Sequence, residues 1–303
     1  GVCNYCAEQE GDFNSIKNQD YVLKKIRNTP DRQYDCLVLY SGGKDSSYSL
    51  YHIKENLKLN PLAFTLDNSF SSSQVFLNMK AITMALDVDH MIVSPSKGSM
   101  KTFYASSLNR PIQNSSDIKY ATMSCGKCIS FILALGAREC IYRKIPFLMG
   151  GWSPGQLTER SLLKGDFLKS VCNQHLAPEE NKPESMTGSL KKFLDASDFP
   201  ELYNPLYAHK YNEDEILKTL EKLGWKRPTD MDSCSSNCQL NGFLIVDHII
   251  KYGFHPYEFE LAFHVRHNIE DRDKAIKKIE HISISHAVLD RIAKELELSP
   301  LEI

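Results

Sequence analysis

Apolar residues fill the segment "DCLVLY" (35–40) without alternation, the pattern of a strand buried on both faces of a parallel sheet. After a short polar turn, "SSYSLYHIKENLK" carries apolar residues at helical spacing. The same alternation then repeats. "NPLAFTLDNS" reads as a second strand ending at Asp67, "SSQVFLNMKAITMALD" as a helix and "HMIVSP" as a third strand. "CISFILALGARECIYRK" reads as a helix running into a fourth strand, "IPFLMGG". Strand and helix alternating at this spacing predict an α/β fold, a parallel sheet flanked by helices with right-handed crossovers. Ligands of such sheets bind beyond the strand C-termini, where Ser41, Asp67, Ser94 and Gly150 fall.

The pattern changes past residue 160. "LAPEENKPESMTGS" is polar with two prolines and reads as a loop or hinge. "NEDEILKTLEKLGWKRP" opens on Asn and acidic residues and closes on Gly and then Pro, the caps of a helix. The last sixty or so residues look almost wholly helical. We divide the chain into an N-terminal arm (1–30), an α/β domain (31–180) and a mainly helical C-terminal region (181–303).

The chain has 303 residues, 42% hydrophobic and 24% charged, enough for a substantial core. Apolar runs fall far short of a membrane span, and residues 1–20 are polar with no signal-peptide core, so a cytoplasmic protein with no membrane contact is expected. Net charge is −2, and the positives are scattered apart from "KRP" near Lys226 and Lys191, Lys192, Lys210 and Lys222. A small-molecule partner therefore fits better than a nucleic acid, which selects a basic face.

The turn after the first strand, "SGGKDS", has a clear physical use. Gly42 and Gly43 allow a sharp turn and a close backbone approach to an anion, and the helix N-terminus adds partial positive charge. Ser41 and Ser46 donate hydrogen bonds, Lys44 can neutralise phosphate, and Asp45 is placed to hold Mg²⁺ or orient the loop. Neither GxxxxGK[ST] nor GxGxxG occurs here. The six residues resemble the PP-loop of the N-type ATP pyrophosphatases, the adenine nucleotide alpha hydrolase-like superfamily. The resemblance implies a Rossmann-like PP-loop ATPase domain in which Ser41, Gly42, Gly43, Asp45 and Ser46 cradle pyrophosphate. ATP would then be cleaved between its α and β phosphates and AMP passed to a substrate oxygen. A regulatory module that binds nucleotide without turnover has little need of an intact "SGGKDS".

Nine cysteines are many for such a chain, and six form close pairs: Cys3/Cys6, Cys125/Cys128 and Cys234/Cys238. In a reducing compartment, pairs point to metal or redox chemistry more than to disulfides. "MSCGKCIS" puts Cys125 and Cys128 at the mouth of a helix, where the dipole is expected to lower thiol pKa. A CxxC followed by a distant cysteine after a PP-loop is similar to tRNA thiolation enzymes of the 2-thiouridine and 2-thiocytidine type, and "YNPLY" (203–207) is similar to their "RPL" stretch. That likeness implies a [4Fe–4S] cluster on Cys125, Cys128 and one of Cys234 or Cys238, Cys234 being preferred, with a sulfur donor as partner. The alternative is a closed Cys₄ zinc site from Cys125, Cys128, Cys234 and Cys238. Cys3 and Cys6 read as half of a structural zinc ribbon. The chain departs from the thiolation pattern after its fourth strand, where "GGWSPGQ" has no aspartate. That role is either unfilled or falls to Asp67 or Asp232, and a tRNA substrate is correspondingly disfavoured.

A second resemblance spans more of the chain. "GVCNYC", "LKLNPLAFTLDN" and "FHVRHNIEDRDKAIKKIE" look like the N-acetyl sugar amidotransferases of surface polysaccharide biosynthesis. It implies a sugar acceptor and ammonia delivered by a separate glutaminase partner. Because ammonia chemistry has no need of Cys125 and Cys128, sulfur insertion is the preferred expectation and amidation the alternative. A homodimer is kept open. His90, His209, His248 and His264 have no ligand spacing, Trp152 either stacks on a ligand or packs, and "EDRDKAIKKIE" reads as a solvated helix face.

Overall fold

The computed structural model describes residues 16–29, 32–95, 97–108, 123–156, 160–176, 198–209, 211–232, 234–235, 237–280 and 284–299. Cys3 and Cys6, Lys191, Lys192, Lys210 and the polar stretch from 177 to 189 lie outside these. An outer helix α1 (Ile16–Arg27) precedes β1 (Cys36–Leu39), α2 (Lys44–Tyr51, continuing as a π turn through His52–Asn56), β2 (Pro61–Leu66), α3 (Ser73–Leu86) and β3 (His90–Val93). Then come α4 (Lys97–Leu108), α5 (Met123–Tyr142), β4 (Phe147–Met149), β5 (Leu162–Leu163), α6 (Gly165–Leu176) and β6 (Glu201–Tyr203). The C-terminal helices are α7 (Glu213–Lys222), α8 (Gln239–Tyr252), α9 (Glu258–Arg266), α10 (Arg272–Glu280) and α11 (His286–Leu296).

The six strands form one sheet in the order β3-β2-β1-β4-β6-β5, all neighbours parallel except the β5–β6 edge pair. The four strands read from the sequence are the first four in this sheet. Strands β5 and β6 are too short to leave a sequence pattern, and β6 carries the sheet across residue 181. β1 sits at the centre, Val38 beside Ala63 of β2 and Leu37 beside Leu148 of β4. Its four side chains alternate between two cores. Leu37 and Leu39 pack with Phe64, Phe131, Leu135, Phe243 and Leu244, while Cys36 and Val38 pack with Val75, Met79, Phe147 and Trp225. With both faces apolar, alternation disappears from the sequence although it governs the packing.

The connection from β1 runs outward to β2 and β3, whereas β4 lies on the other side of β1. Strand order therefore reverses between β1 and β4, and the crevice at their C-terminal ends is the natural ligand position in such a sheet. Ser41–Ser46 follow β1 there and Gly150–Gly151 follow β4. Among the described residues, no helix is long and apolar enough to cross a membrane.

Candidate functional site

The "SGGKDS" turn forms the floor of the site. Gly42 has φ +72°, and a Cβ there would lie 2.8 Å from both Met79 Cγ and Val75 Cγ1 of α3. Only glycine fits that left-handed turn without moving a helix. Gly43 is the N-cap of α2 and offers no side chain to its first turn. The first N–H groups of the helix are thus left to an anion. Ser46 Oγ takes the Ser41 N–H (3.2 Å), lies 3.0 Å from Ser41 Oγ and donates to the Gly43 carbonyl (3.2 Å). From the other side Gly151 presses on the loop, since a Cβ there would lie 2.5 Å from Ser46 Cα.

Lys44 and Asp45 are tied to the C-terminal region. Lys44 Nζ donates to both Asp45 oxygens (3.0 Å each) and to Tyr211 Oη (2.7 Å), and Tyr211 donates in turn to Asp45 Oδ1 (2.5 Å). Burial works against the Lys44 charge, but Asp45 and Glu213 outweigh it and raise its pKa. Burial likewise disfavours the Glu213 charge, yet Lys44, Lys278 and Arg227 hold it down at about 2. Lys278 bonds both Glu213 (2.7 Å) and Glu270 (2.6 Å), so part of "EDRDKAIKKIE" joins this ion network rather than facing water alone. Asp67 lies beyond β2, where it caps Ser69 N–H and accepts from Ser94 Oγ (3.1 Å).

A cavity of about 260 Å³ opens above the turn. Ser41, Gly43, Asp45 and Ser46 line it, as do Cys125, Cys128, Cys234 and Cys238. The Gly-rich turn and the Cys125/Cys128 and Cys234/Cys238 pairs, separated by up to almost two hundred residues in the chain, therefore share one chamber. Asp67 and Gly150 lie just outside its wall, Gly150 fixed by Ser49 Oγ on its carbonyl (2.9 Å), while Trp152 forms part of the lining.

The four thiols do not stand alike. Tyr104 Oη lies 3.0 Å from Cys128 Sγ. Burial, then Cys128, Cys238 and Cys125 around it, push the Tyr104 hydroxyl pKa well up. Cys238 Sγ accepts from Asn68 Nδ2 (3.2 Å), and Cys125 Sγ donates to Asn241 Oδ1 (3.4 Å). Cys234 is placed differently, with Asp232 and His255, the three donor groups all within 4.8 Å of one another. The helix-dipole expectation needs a correction at Cys128, where burial pushes the thiol up to about 12. Desolvation outweighs the dipole because Cys128 lies a turn inside α5 rather than at its open mouth.

Sequence reasoning passed over Glu260, which lines the same cavity. Burial raises its pKa to about 7, reinforced by Asp45 and opposed by a hydrogen bond from Ser153 Oγ. The signal available was a polar pair, Glu260 and His264, one turn apart among the apolar residues of "FELAFHV". His264 itself is buried against the Pro154 carbonyl (2.8 Å), with its pKa lowered by burial to about 4. Tyr211, Trp225 and Tyr257 were also missed, because a lone aromatic among polar residues and turn residues carries no mark of the site it borders.

No family model matches the chain. It is 26% identical over 264 residues to "Uncharacterized protein MJ1599" of Methanocaldococcus jannaschii, covering 86% of this chain and 78% of that one. Among solved structures it is similar to the U34-tRNA thiolase NcsA from Methanococcus maripaludis with its [4Fe–4S] cluster (16% identity, 95% of this chain, 82% of that chain, TM-score 0.39). It is also similar to NMN synthetase from Francisella tularensis (12%, 94% and 95%, TM-score 0.38) and to the NH₃-dependent NAD synthetase from Campylobacter jejuni (15%, 71% and 86%, TM-score 0.33). The sheet order and turn described above are those of a mostly parallel α/β fold with a Gly-rich turn at its switch point.

Proposed function

We propose that this chain is an ATP-dependent adenylating transferase that replaces a carbonyl-type oxygen of a small acceptor with sulfur. The observation that carries the reading is the shared chamber, in which Ser41, Gly43, Asp45 and Ser46 line one end and Cys125, Cys128 and Cys238 lie along the same wall.

The chemistry divides between the two ends. The uncapped α2 N-terminus and the serine hydroxyls hold the β and γ phosphates, and Asp45 is the carboxylate placed for Mg²⁺. The acceptor oxygen attacks the α phosphorus and pyrophosphate leaves, giving an O-adenylated acceptor. A hydrosulfide equivalent from a sulfur donor then adds to the activated carbon. AMP departs with the original oxygen, the C=S bond forms and the proton passes to solvent or to a cavity base.

The donor set of the cysteine end fits an iron–sulfur cluster, with three thiols grouped about Tyr104 and polar groups, Asn68 and Asn241, to orient them. Cys125, Cys128 and Cys238 would hold it; Cys234 belongs with Asp232 and His255. Once bound, a [4Fe–4S] cluster with a free iron position supplies a place to carry sulfide. The cavity of about 260 Å³ and the net charge of −2 support a small, sugar-sized acceptor over an RNA.

The test is anaerobic purification of the wild type and a Cys125→Ala variant, with iron, sulfide and zinc analysis and a visible spectrum. About four irons and four sulfides per chain, lost in the variant, support sulfur insertion. Absence of iron that depends on Cys125 sinks it and turns the same adenylation chemistry to ammonia and an N-acetyl sugar amidotransferase.

A further inference from the structure

We propose that Asp232, Cys234 and His255 form a binding site for one Zn²⁺-class cation at the wall of the ATP chamber, separate from the Cys125–Cys128–Cys238 group. The three donor atoms lie within 4.8 Å of one another, close enough for one ion to reach all three. Asp232 is 2% exposed and His255 5% exposed, and Cys234 is half-buried and lines the chamber. A carboxylate, a thiol and an imidazole gathered out of water are costly together unless protons or a cation neutralise them.

The local backbone holds the donors in place. Asp232 accepts the Cys234 N–H at Oδ1 (2.8 Å) and the Ser235 N–H at its carbonyl (3.0 Å), a tight turn that brings carboxylate and thiol together. His255 is fixed just ahead of α9, its N–H on Glu258 Oε1 (3.0 Å) and its Nδ1 accepting the Tyr257 N–H (3.2 Å). Neutral imidazole has a single lone pair, so on metal binding that pair passes to the ion and frees the Tyr257 N–H at the chamber wall. The Cys234 thiol, which donates to the Lys278 carbonyl (3.6 Å), loses its proton to solvent and becomes a thiolate. Thiolate and carboxylate together balance a divalent charge.

The donor types choose the metal. One sulfur, one imidazole nitrogen and one carboxylate oxygen suit the borderline-soft Zn²⁺, whereas Mg²⁺ and Ca²⁺ favour all-oxygen sets. Three protein ligands leave one position of a tetrahedral ion, and Cys234, with Ser235 beside it, lines the chamber. A water, or an oxygen or sulfur of the acceptor, completes it.

This inference stands independently of the sulfur reading, and cobalt tests it without iron. The full chain carrying Cys125→Ser and Cys128→Ser is stripped of metal and titrated with Co²⁺ under anaerobic conditions. Serine is close to cysteine in size and keeps a hydrogen-bonding atom for Tyr104 and Asn241, so the fold is expected to survive both changes, which a melting curve checks. The expected result is about one equivalent of Co²⁺ with a thiolate charge-transfer band, weakened at least roughly tenfold by adding His255→Ala or Asp232→Asn. Zinc X-ray absorption on the chain with only the two serine changes should give a shell of one sulfur with nitrogen and oxygen, which keeps the test decisive where either added variant fails to fold. No uptake, uptake indifferent to His255 and Asp232, or a shell of sulfur alone overturns the proposal.

Discussion

Trp225 donates its indole N–H to the carbonyl of Gly42 across 3.0 Å, joining the segment after α7 to the nucleotide turn 183 positions earlier. The indole is 2% exposed, and Lys226 beside it is held to α3 by the Asn78 side chain, whose Nδ2 donates to the Lys226 carbonyl (2.7 Å) and whose Oδ1 accepts the Lys226 N–H (2.9 Å). The C-terminal region thus braces the Gly-rich turn proposed to hold phosphate.

Trp225→Phe keeps most of the ring but removes the donor, leaving a buried carbonyl short of its partner. That should cost about 1–3 kcal/mol in a urea melt. It should also weaken inorganic pyrophosphate binding by roughly tenfold, which titration calorimetry reads. Unchanged pyrophosphate affinity alongside lower stability would mean that the indole supports the fold without shaping the turn.

The turn is expected to be intolerant of any side chain at Gly42. Alanine there meets a left-handed backbone and two side chains of α3 at 2.8 Å, as well as the Val75 carbonyl at 3.0 Å. Gly42→Ala should destabilise by about 2–4 kcal/mol. Gly98 in α4 has nothing within 4 Å of its Cβ position, so Gly98→Ala should be neutral or stabilising by up to about 1 kcal/mol. Equal effects at the two sites would remove the steric argument.

The sequence was most readable where chemistry and periodicity coincide. "DCLVLY" followed by "SGGKDS" named both a buried strand and its anion turn, because glycines and serines at a strand end have few other uses. Which of Cys234 and Cys238 sits beside Cys125 and Cys128, and that Cys234 meets Asp232 and His255, was not readable. The 230–238 segment lacks periodic pattern, and its placement depends on how α8 and α9 pack against a sheet formed much earlier in the chain. The sequence offered either Cys234 or Cys238 as the third partner of Cys125 and Cys128, and Cys234 was the preferred expectation. The three residues between them are enough to send the thiols to different neighbours.

Pyrophosphate release is expected to depend on the turn's own side chains. Ser46 Oγ bridges Ser41 and Gly43, and Asp45 is the carboxylate nearest the α2 N-terminus. Ser46→Ala and Asp45→Asn should each lower ATP-to-pyrophosphate turnover by roughly 100-fold or more, in variants whose melting curves stay near wild type. Turnover retained in both would remove the nucleotide assignment of this turn.

Glu260 makes a prediction about pH. Burial first, then the Asp45 charge, raise its carboxyl to about 7, above the 4.5 of a free glutamate. Between these values the folded chain keeps a proton that the unfolded chain has released, so stability falls as pH rises through this window and stays low above it. Glu260→Gln is neutral throughout and keeps an oxygen for the Ser153 hydroxyl. Because the cavity admits water to the carboxylate, the gain should be about 2 kcal/mol rather than the full value of the shift. The variant should therefore match wild type near pH 4.5 and exceed it by that amount at pH 8 in urea melts. Glu213, held at about 2, titrates below this range, and histidines such as His264 titrate in both proteins and cancel in the difference. A wild-type-minus-variant difference that is flat from pH 4.5 to 8 would mean that Glu260 is ionised in the chamber at all these values and that no proton is stored there.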